Sequence, residues 1–207
     1  FPTTAVRVFV GRGSTGVRGI RLAKGNEVVS MAVIRHFEAT AEERSAYLKM
    51  RRAVAGGLDE GEDAETGPET DPESSDEPPV IDIALPEGRY TEMSAAEDLI
   101  LTITETGSGK ISSSHGYPVR GRGGQGVWAM DSKMRGGRLV ASFPVEIDDQ
   151  IMLVTDAGQS IRCPVSGISF RSRGAGGVRV FRTAEDERVV SVAWIAEQGE
   201  EEDEDEG

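Results

Sequence analysis

Arg12-Gly13-Ser14-Thr15-Gly16-Val17, Arg122-Gly123-Gly124-Gln125-Gly126-Val127 and Arg173-Gly174-Ala175-Gly176-Gly177-Val178 are three copies of one pattern, RGxxGV. Copies two and three stand 51 residues apart, and their flanks keep that register. The run from Asp98 to Gly107 (DLILTITETG) aligns with the run from Asp149 to Gly158 (DQIMLVTDAG) at the same spacing. Copy one precedes copy two by 110 residues, which is one period plus 59. Val28-Val29-Ser30 and Val189-Val190-Ser191 follow copies one and three at a common offset. Self-similarity at a period of 20–50 residues marks repeat architectures such as propellers. One unit is repeated, and one interval between units is enlarged.

Composition narrows the class. The chain has 207 residues, a length for one domain or two small ones. It starts at Phe1, which reads as a fragment or a processed chain. No run approaches the roughly 20 apolar residues of a membrane span, and no leader-like apolar core is present. The reading is a soluble, cytoplasmic protein without a membrane partner. A single cysteine, Cys163, excludes an internal disulfide framework and multi-cysteine zinc sites. His36 and His115 lie far apart in sequence, so no metal site is expected.

The formal charge of −13 is unevenly spread. Residues 59–77 hold 10 acidic residues and residues 197–207 hold 8, with no Lys or Arg in either stretch. What is left carries 18 acidic against 23 basic residues. The body is mildly basic, with two acidic appendages that read as disordered, self-repelling segments.

Along the chain, residues 5–10 alternate like a short strand. Val17 to Leu22 alternates apolar with basic residues, and Val28 to Ile34 reads as a buried strand. From Arg35 the character changes. Thr40-Ala41-Glu42-Glu43 is a capping-box signature, and a helix is expected from there to about Val54, ending near Gly56-Gly57. Residues 57–79 are expected to be a disordered linker, and Pro86 to about Glu97 a second, weaker helix. Strands resume at Leu99–Thr104 and Ile111–Ser114, and then at Val127–Met130 and Leu139–Val145 after a turn at Arg135-Gly136-Gly137. The next unit repeats them at Gln150–Thr155, Ile161–Val165, Val178–Phe181 and Val189–Ile195. About four short strands per unit of roughly 50 residues describe an antiparallel blade. The expected fold is all-β, a partial propeller-like disc with a small helical insertion. Its parts are a partial blade (1–36), the insertion (37–97), a blade (98–147), the last blade (148–196) and an acidic tail (197–207).

The runs VGRGSTGVRGIRL (10–22), DQIMLVTDAGQSIR (149–162) and GGVRVFRTAEDERVVSV (176–192), with the acidic C-terminus, resemble the C-terminal domain of the A subunit of bacterial DNA gyrase. The resemblance covers residues 1–36 and 98–207. It implies a β-pinwheel whose basic rim wraps double-stranded DNA, here represented by the last two blades, part of the one before and the tail. The implied parent is a type II topoisomerase that negatively supercoils DNA on the chromosome. It uses ATP and Mg²⁺ held in other domains, in an assembly of two A and two B subunits. The family's wrapping motif, Gln-Arg-Arg-Gly-Gly-Lys-Gly, belongs to a first blade that this chain does not carry. Arg120-Gly121-Arg122-Gly123-Gly124-Gln125-Gly126 resembles it, with Gln125 where the motif has lysine.

Apart from any resemblance, arginines on strand edges could line one rim and neutralise phosphates without reading bases. The candidates are Arg12, Arg18, Arg21, Arg120, Arg122, Arg173, Arg179 and Arg182, with Arg135, Arg138 and Arg171 beside them. The competing reading is that edge arginines are solvated and keep strands from pairing with other chains. Trp128 and Trp194 are expected in the core. Cys163 is expected as a small buried hydrophobe, and Tyr47 and Met50 as residues packing the insertion onto a blade. Arg89-Tyr90 resembles the dipeptide around the catalytic tyrosine of type II topoisomerases. That chemistry needs metal and basic neighbours at the phosphorus, and Tyr90 follows an acidic stretch, so no catalytic residue and no cofactor are assigned here. The alternatives are the equivalent domain of topoisomerase IV, or a protein-interaction propeller fragment without DNA binding.

Overall fold

The computed structural model describes residues 1–55, 83–130 and 137–195. Among the described residues seven strands form, and all belong to the two units that stand 51 residues apart. They are β1 (Leu99–Thr104), β2 (Ser108–Ser113), β3 (Leu139–Val145), β4 (Gln150–Thr155), β5 (Ser160–Pro164), β6 (Val178–Arg179) and β7 (Val189–Ile195). They assemble into an antiparallel sheet in the order β3-β1-β2-β6 and another in the order β5-β4-β7. The β1–β2 and β4–β5 hairpins turn at Gly107 (φ 74°) and Gly158 (φ 82°), at the same place in the repeat. Glycine enters that left-handed conformation without a Cβ penalty.

β1 is buried along nearly its whole length, whereas β4 alternates, with Ile151 and Leu153 fully buried. Leu101, Ile103 and Ile111 of the first sheet meet Ile151, Leu153 and Val189 of the second, with Val165 and Ile168, in one core. The sheets are also tied through their backbones, because Val189 N–H donates to the carbonyl of Glu105 at 2.8 Å.

The units interlock. β6 belongs in sequence to the second unit but pairs with β2 of the first, Val178 opposite Gly109 and Arg179 opposite Ser108. The expectation of four strands contributed by each unit is therefore corrected: the second sheet has three strands among the described residues, and part of its unit completes the first. The strand expected over Val178–Phe181 is two residues long, and none forms over Val127–Met130.

A second correction concerns residues 1–36. No strand forms at 5–10, 17–22 or 28–34, and Val8, Val10, Met31 and Val33 lie exposed. β3 pairs with a strand starting 40 residues earlier and β7 with one starting 39 earlier. Among the described residues no hairpin lies beside residues 28–34 in that way, so their backbone N–H and C=O groups join no ladder. The segment still runs beside β3, for Ser30 Oγ donates to the carbonyl of Ser142 at 2.7 Å and Arg138 pairs with Glu27 at 3.1 Å.

The insertion replaces a tight turn. After β3, Glu146 N–H donates to Asp149 Oδ2 at 2.7 Å, closing a turn over Ile147 and Asp148. At the matching place, Arg35 N–H donates to Asp98 Oδ2 and its Nε to Oδ1, both at 2.8 Å, across residues 36–97. Helix α1 (Ala41–Ala55) opens with the reciprocal pair its sequence announces: Glu43 N–H to Thr40 Oγ1 at 3.2 Å, and Thr40 N–H to Glu43 Oε2 at 2.8 Å. Helix α2 (Glu87–Ala95) joins it through Ala46, Tyr47, Leu85 and Met93. The pair docks on the blade at His115, whose ring meets Tyr47 edge-on at 4.9 Å and whose Nε2 donates to the carbonyl of Met93 at 2.8 Å. Arg51 lies over the Phe170 ring at 4.7 Å.

Four single-residue expectations turn out differently. Trp128 (68% exposed) and Trp194 (54%) are on the surface, and Met50 projects outward while its neighbour Tyr47 is fully buried. Cys163 is half-buried against the core, and that burial pushes its thiol pKa up. The linker expected over 57–79, the tail over 197–207, and Arg135 with Gly136 lie outside the described residues.

Candidate nucleic-acid interface

The RGxxGV copies are loops, and glycine meets a different need in the second and in the third. Gly123 and Gly126 have φ of 83° and 87°. Gly177 stands so close to β2 that a Cβ would sit 2.9 Å from the Gly109 backbone. The loops of successive copies touch. Gly123 N–H donates to the carbonyl of Gly19 at 2.7 Å, and Arg21 N–H to that of Gly124 at 2.8 Å. These bonds bring Arg18 and Arg21 against Arg122, whose Nη1 donates to the carbonyl of Arg18 at 2.7 Å.

The third loop is held from the first unit. Lys110, fully buried on β2, donates its Nζ to the carbonyls of Ser172 (2.8 Å), Ala175 (2.6 Å) and Arg173. Arg173 in turn donates Nε to the carbonyl of Gly116 at 2.8 Å and Nη1 to that of Trp128. Sequence reasoning missed Lys110. Its signal is a lysine in a strand of Ser and Gly, which reads equally well as a solvated edge.

Arg12, Arg18, Arg21, Arg122, Arg179 and Arg182 are exposed, while Arg120 and Arg173 are half-buried. Arg179 and Arg182 line an open recess with Thr106 and Thr183. The candidates thus fall into a group at the junction of copies one and two (Arg18, Arg21 and Arg122), Arg173 at the junction of copies two and three, and a pair at the β6 edge (Arg179 and Arg182). No side-chain hydrogen bond or ion pair among the described residues joins Arg12 or Arg120 to any of them. Arg138 and Arg188 are ion-paired, with Glu27 and Glu105 respectively. Tyr90 stacks on Tyr47 at 5.0 Å within the helical cluster. Among the described residues no group of three or more His, Cys, Asp and Glu could hold a metal ion, and no helix is long and apolar enough to cross a membrane.

A surface of exposed guanidinium groups beside glycine loops suits a polyanion, because it offers charge and lets a backbone N–H approach a phosphate. Comparison with known proteins identifies the family. The family model for the DNA gyrase C-terminal domain, beta-propeller, matches residues 1–35, 98–146 and 149–193, more than half of the chain. Its first break spans the insertion between Arg35 and Asp98. The DNA gyrase A subunit of Granulibacter bethesdensis is 46% identical over 196 residues, covering 93% of this chain and 20% of that protein. The DNA gyrase A subunit of Rickettsia bellii is 39% identical over 205 residues, covering 99% and 21%. The chain spans about a fifth of the length of these relatives. A solved DNA gyrase A C-terminal domain aligns with a TM-score of 0.45 at 24% identity, over 48% of this chain and 34% of that one. The C-terminal domain of DNA topoisomerase IV aligns at 0.43 and 24%, over 47% and 30%.

Proposed function

The chain belongs to the DNA gyrase C-terminal β-propeller family, and on that premise we propose that it binds double-stranded DNA along the phosphate backbone and wraps it. The observation that carries this reading is the exposure of Arg18, Arg21, Arg179 and Arg182 on and beside the glycine loops, while acidic residues concentrate at 59–77 and 197–206. Guanidinium groups so placed neutralise phosphates and release counterions without reading base edges. Binding of this kind tolerates any sequence, which suits a region that bends DNA for a reaction performed elsewhere. In the whole enzyme, cleavage, ATP hydrolysis and Mg²⁺ binding fall to the B subunit and to other parts of the A subunit. This region contributes DNA handling in a cytoplasmic, chromosome-associated A₂B₂ assembly and takes no cofactor of its own.

Changing Arg18, Arg21, Arg179 or Arg182 to Gln in the intact protein is expected to lower the slope of log affinity against log salt by about 0.9 for each phosphate no longer neutralised. Unchanged slopes in all four variants would favour a protein-interaction surface. The eight carboxylates between Glu197 and Glu206 act as a competing polyanion on the same chain. Truncation after Ala196 should tighten DNA binding at 50 mM salt and leave it nearly unchanged near 0.5 M, where screening is short-ranged. Equal affinities at low salt would leave the tail no part in binding.

A further inference from the structure

Arg122 and Arg173 make one contact twice. Each sends Nη1 to the backbone carbonyl of the residue following the valine of the preceding copy: Arg122 to Arg18, Arg173 to Trp128. The contacts span 104 and 45 residues of chain. The excess of 59 is the same excess that separates copies one and two beyond one period. The bond therefore follows the repeat and not the distance along the chain, which argues against two unrelated surface contacts.

Surrounding bonds support the same joint. At the first, Gly123 N–H and Arg21 N–H bridge the two loops. At the second, Arg173 adds its Nε bond to Gly116, and Lys110 holds three carbonyls of the loop that carries Arg173. Arg173 commits Nε and Nη1 to carbonyls and Arg122 commits Nη1, which holds each guanidinium toward the preceding loop, whereas Arg179 and Arg182 are exposed beside an open recess. The planar fork also makes the position demanding, because lysine offers a point charge without the same reach or planarity.

We propose that the arginine opening the second and the third RGxxGV copy, Arg122 and Arg173, is a latch that sets the geometry between one repeat unit and the preceding one, and that phosphate contact falls to the unlatched arginines. The second half rests on the DNA-binding reading above; the latch does not. If DNA follows successive units, the latch acts on wrapping by positioning the surfaces that touch phosphate, so its loss alters the path of DNA more than the strength of binding.

The test uses the intact A subunit with Arg122→Lys, Arg122→Gln, Arg173→Lys and Arg173→Gln, and Arg179→Gln for comparison. Three quantities are read at 25 °C on variants that keep the wild-type circular dichroism. They are amide hydrogen exchange at Arg21 and Gly123, the salt slope for linear DNA, and the linking-number change trapped per bound protein. The latch predicts that both Arg122 variants speed exchange at Arg21 and Gly123 at least tenfold. All four latch variants should keep the wild-type slope while trapping at most half the linking-number change. Arg122→Lys keeps the charge and removes one exposed hydrogen bond, which guards the result against misfolding of the Arg173 variants. Wild-type exchange in both Arg122 variants overturns the latch. So does a slope that falls by about 0.9 in the Gln variants but holds in the Lys variants, since that is the mark of a phosphate contact. A wild-type protein without salt-sensitive DNA binding sinks the DNA reading, while the exchange data still decide the latch.

Discussion

Tyr47 shows how much one buried side chain carries in the insertion. Its ring is fully buried between His115 and Tyr90, at 4.9 and 5.0 Å, and joins the helical pair to the blade. Its hydroxyl has no hydrogen-bond partner of normal geometry, though Ser94 lies beside it. Burial first, and the Glu97 carboxylate second, push the phenol pKa up to about 12. The folded state thus holds this proton more tightly than the unfolded chain, whose tyrosine titrates near pH 10. The resulting stabilisation is complete below about pH 10 and is lost as pH rises through about 12. Near-UV circular dichroism and amide exchange in α1 and α2 should show the helical pair loosening across that window. Tyr47→Phe removes no hydrogen bond of normal geometry, so it should change stability at pH 7 by less than about 1 kcal/mol and abolish the alkaline loss. Persistence of the same transition in the Phe variant would assign it to another group.

At the scale of elements, the short strand β6 decides how the units join, and Gly177 decides whether β6 fits. A Cβ at Gly177 would lie 2.9 Å from the backbone N and O of Gly109, and backbone on both sides leaves no flexible side chain to yield. Gly109 is constrained in turn, because a Cβ there would lie 3.0 Å from the carbonyl of Thr102. Two glycines facing each other allow β2 and β6 to approach, and Gly16 at the same motif position in copy one has nothing within 4 Å. Gly177→Ala should therefore cost about 2 kcal/mol or more, within the range of overpacking a close contact. Chaotrope unfolding of the intact protein followed by Trp194 fluorescence measures it. Amide exchange at Val180, which donates to the carbonyl of Gly107, reports whether the β6 segment has moved. A change below about 0.5 kcal/mol would show that the strands can slide apart freely.

Across the whole molecule the two sheets behave as one body because they share a core and meet at Glu105. Its backbone accepts from Val189 of the second sheet at 2.8 Å. Its carboxylate accepts from Arg138 N–H of the first sheet at 2.9 Å and pairs with Arg188 of the second at 3.2 Å. Arg188 is mostly solvated, so the ion pair alone is worth under about 1 kcal/mol; the backbone bond to the shielded carboxylate adds about 1–2. Glu105→Ala should lower stability by about 2 kcal/mol and split the calorimetric transition of this region, since the carboxylate joins both sheets. A single sharp transition in the variant would show that the shared apolar core of Leu101, Ile103, Leu153 and Val189 suffices for coupling.

The sequence by itself determined the repeat, its 51-residue period, the all-β character and the start of α1. These follow from local chemistry: alternating Ile and Leu around Leu153, glycine at Gly107 and Gly158 where φ turns positive, and a Thr40–Glu43 pair three residues apart. The enlarged interval between copies one and two is likewise read from the sequence, since Val28 and Val189 keep a common offset from their copies. The partners of each element were decided only by the tertiary structure. Val17 to Leu22 and Val178 to Arg179 follow the same motif, yet the latter forms a strand because β2 lies beside it, and the former pairs with no strand among the described residues. Trp128 and Trp194 look like core residues by composition and stand in solvent. Arg122 and Arg173 look like free cations, but carbonyls of the preceding copy claim their guanidinium groups. A strand or a charge acquires its role from the group that faces it, and a linear pattern names residue types without naming what faces them.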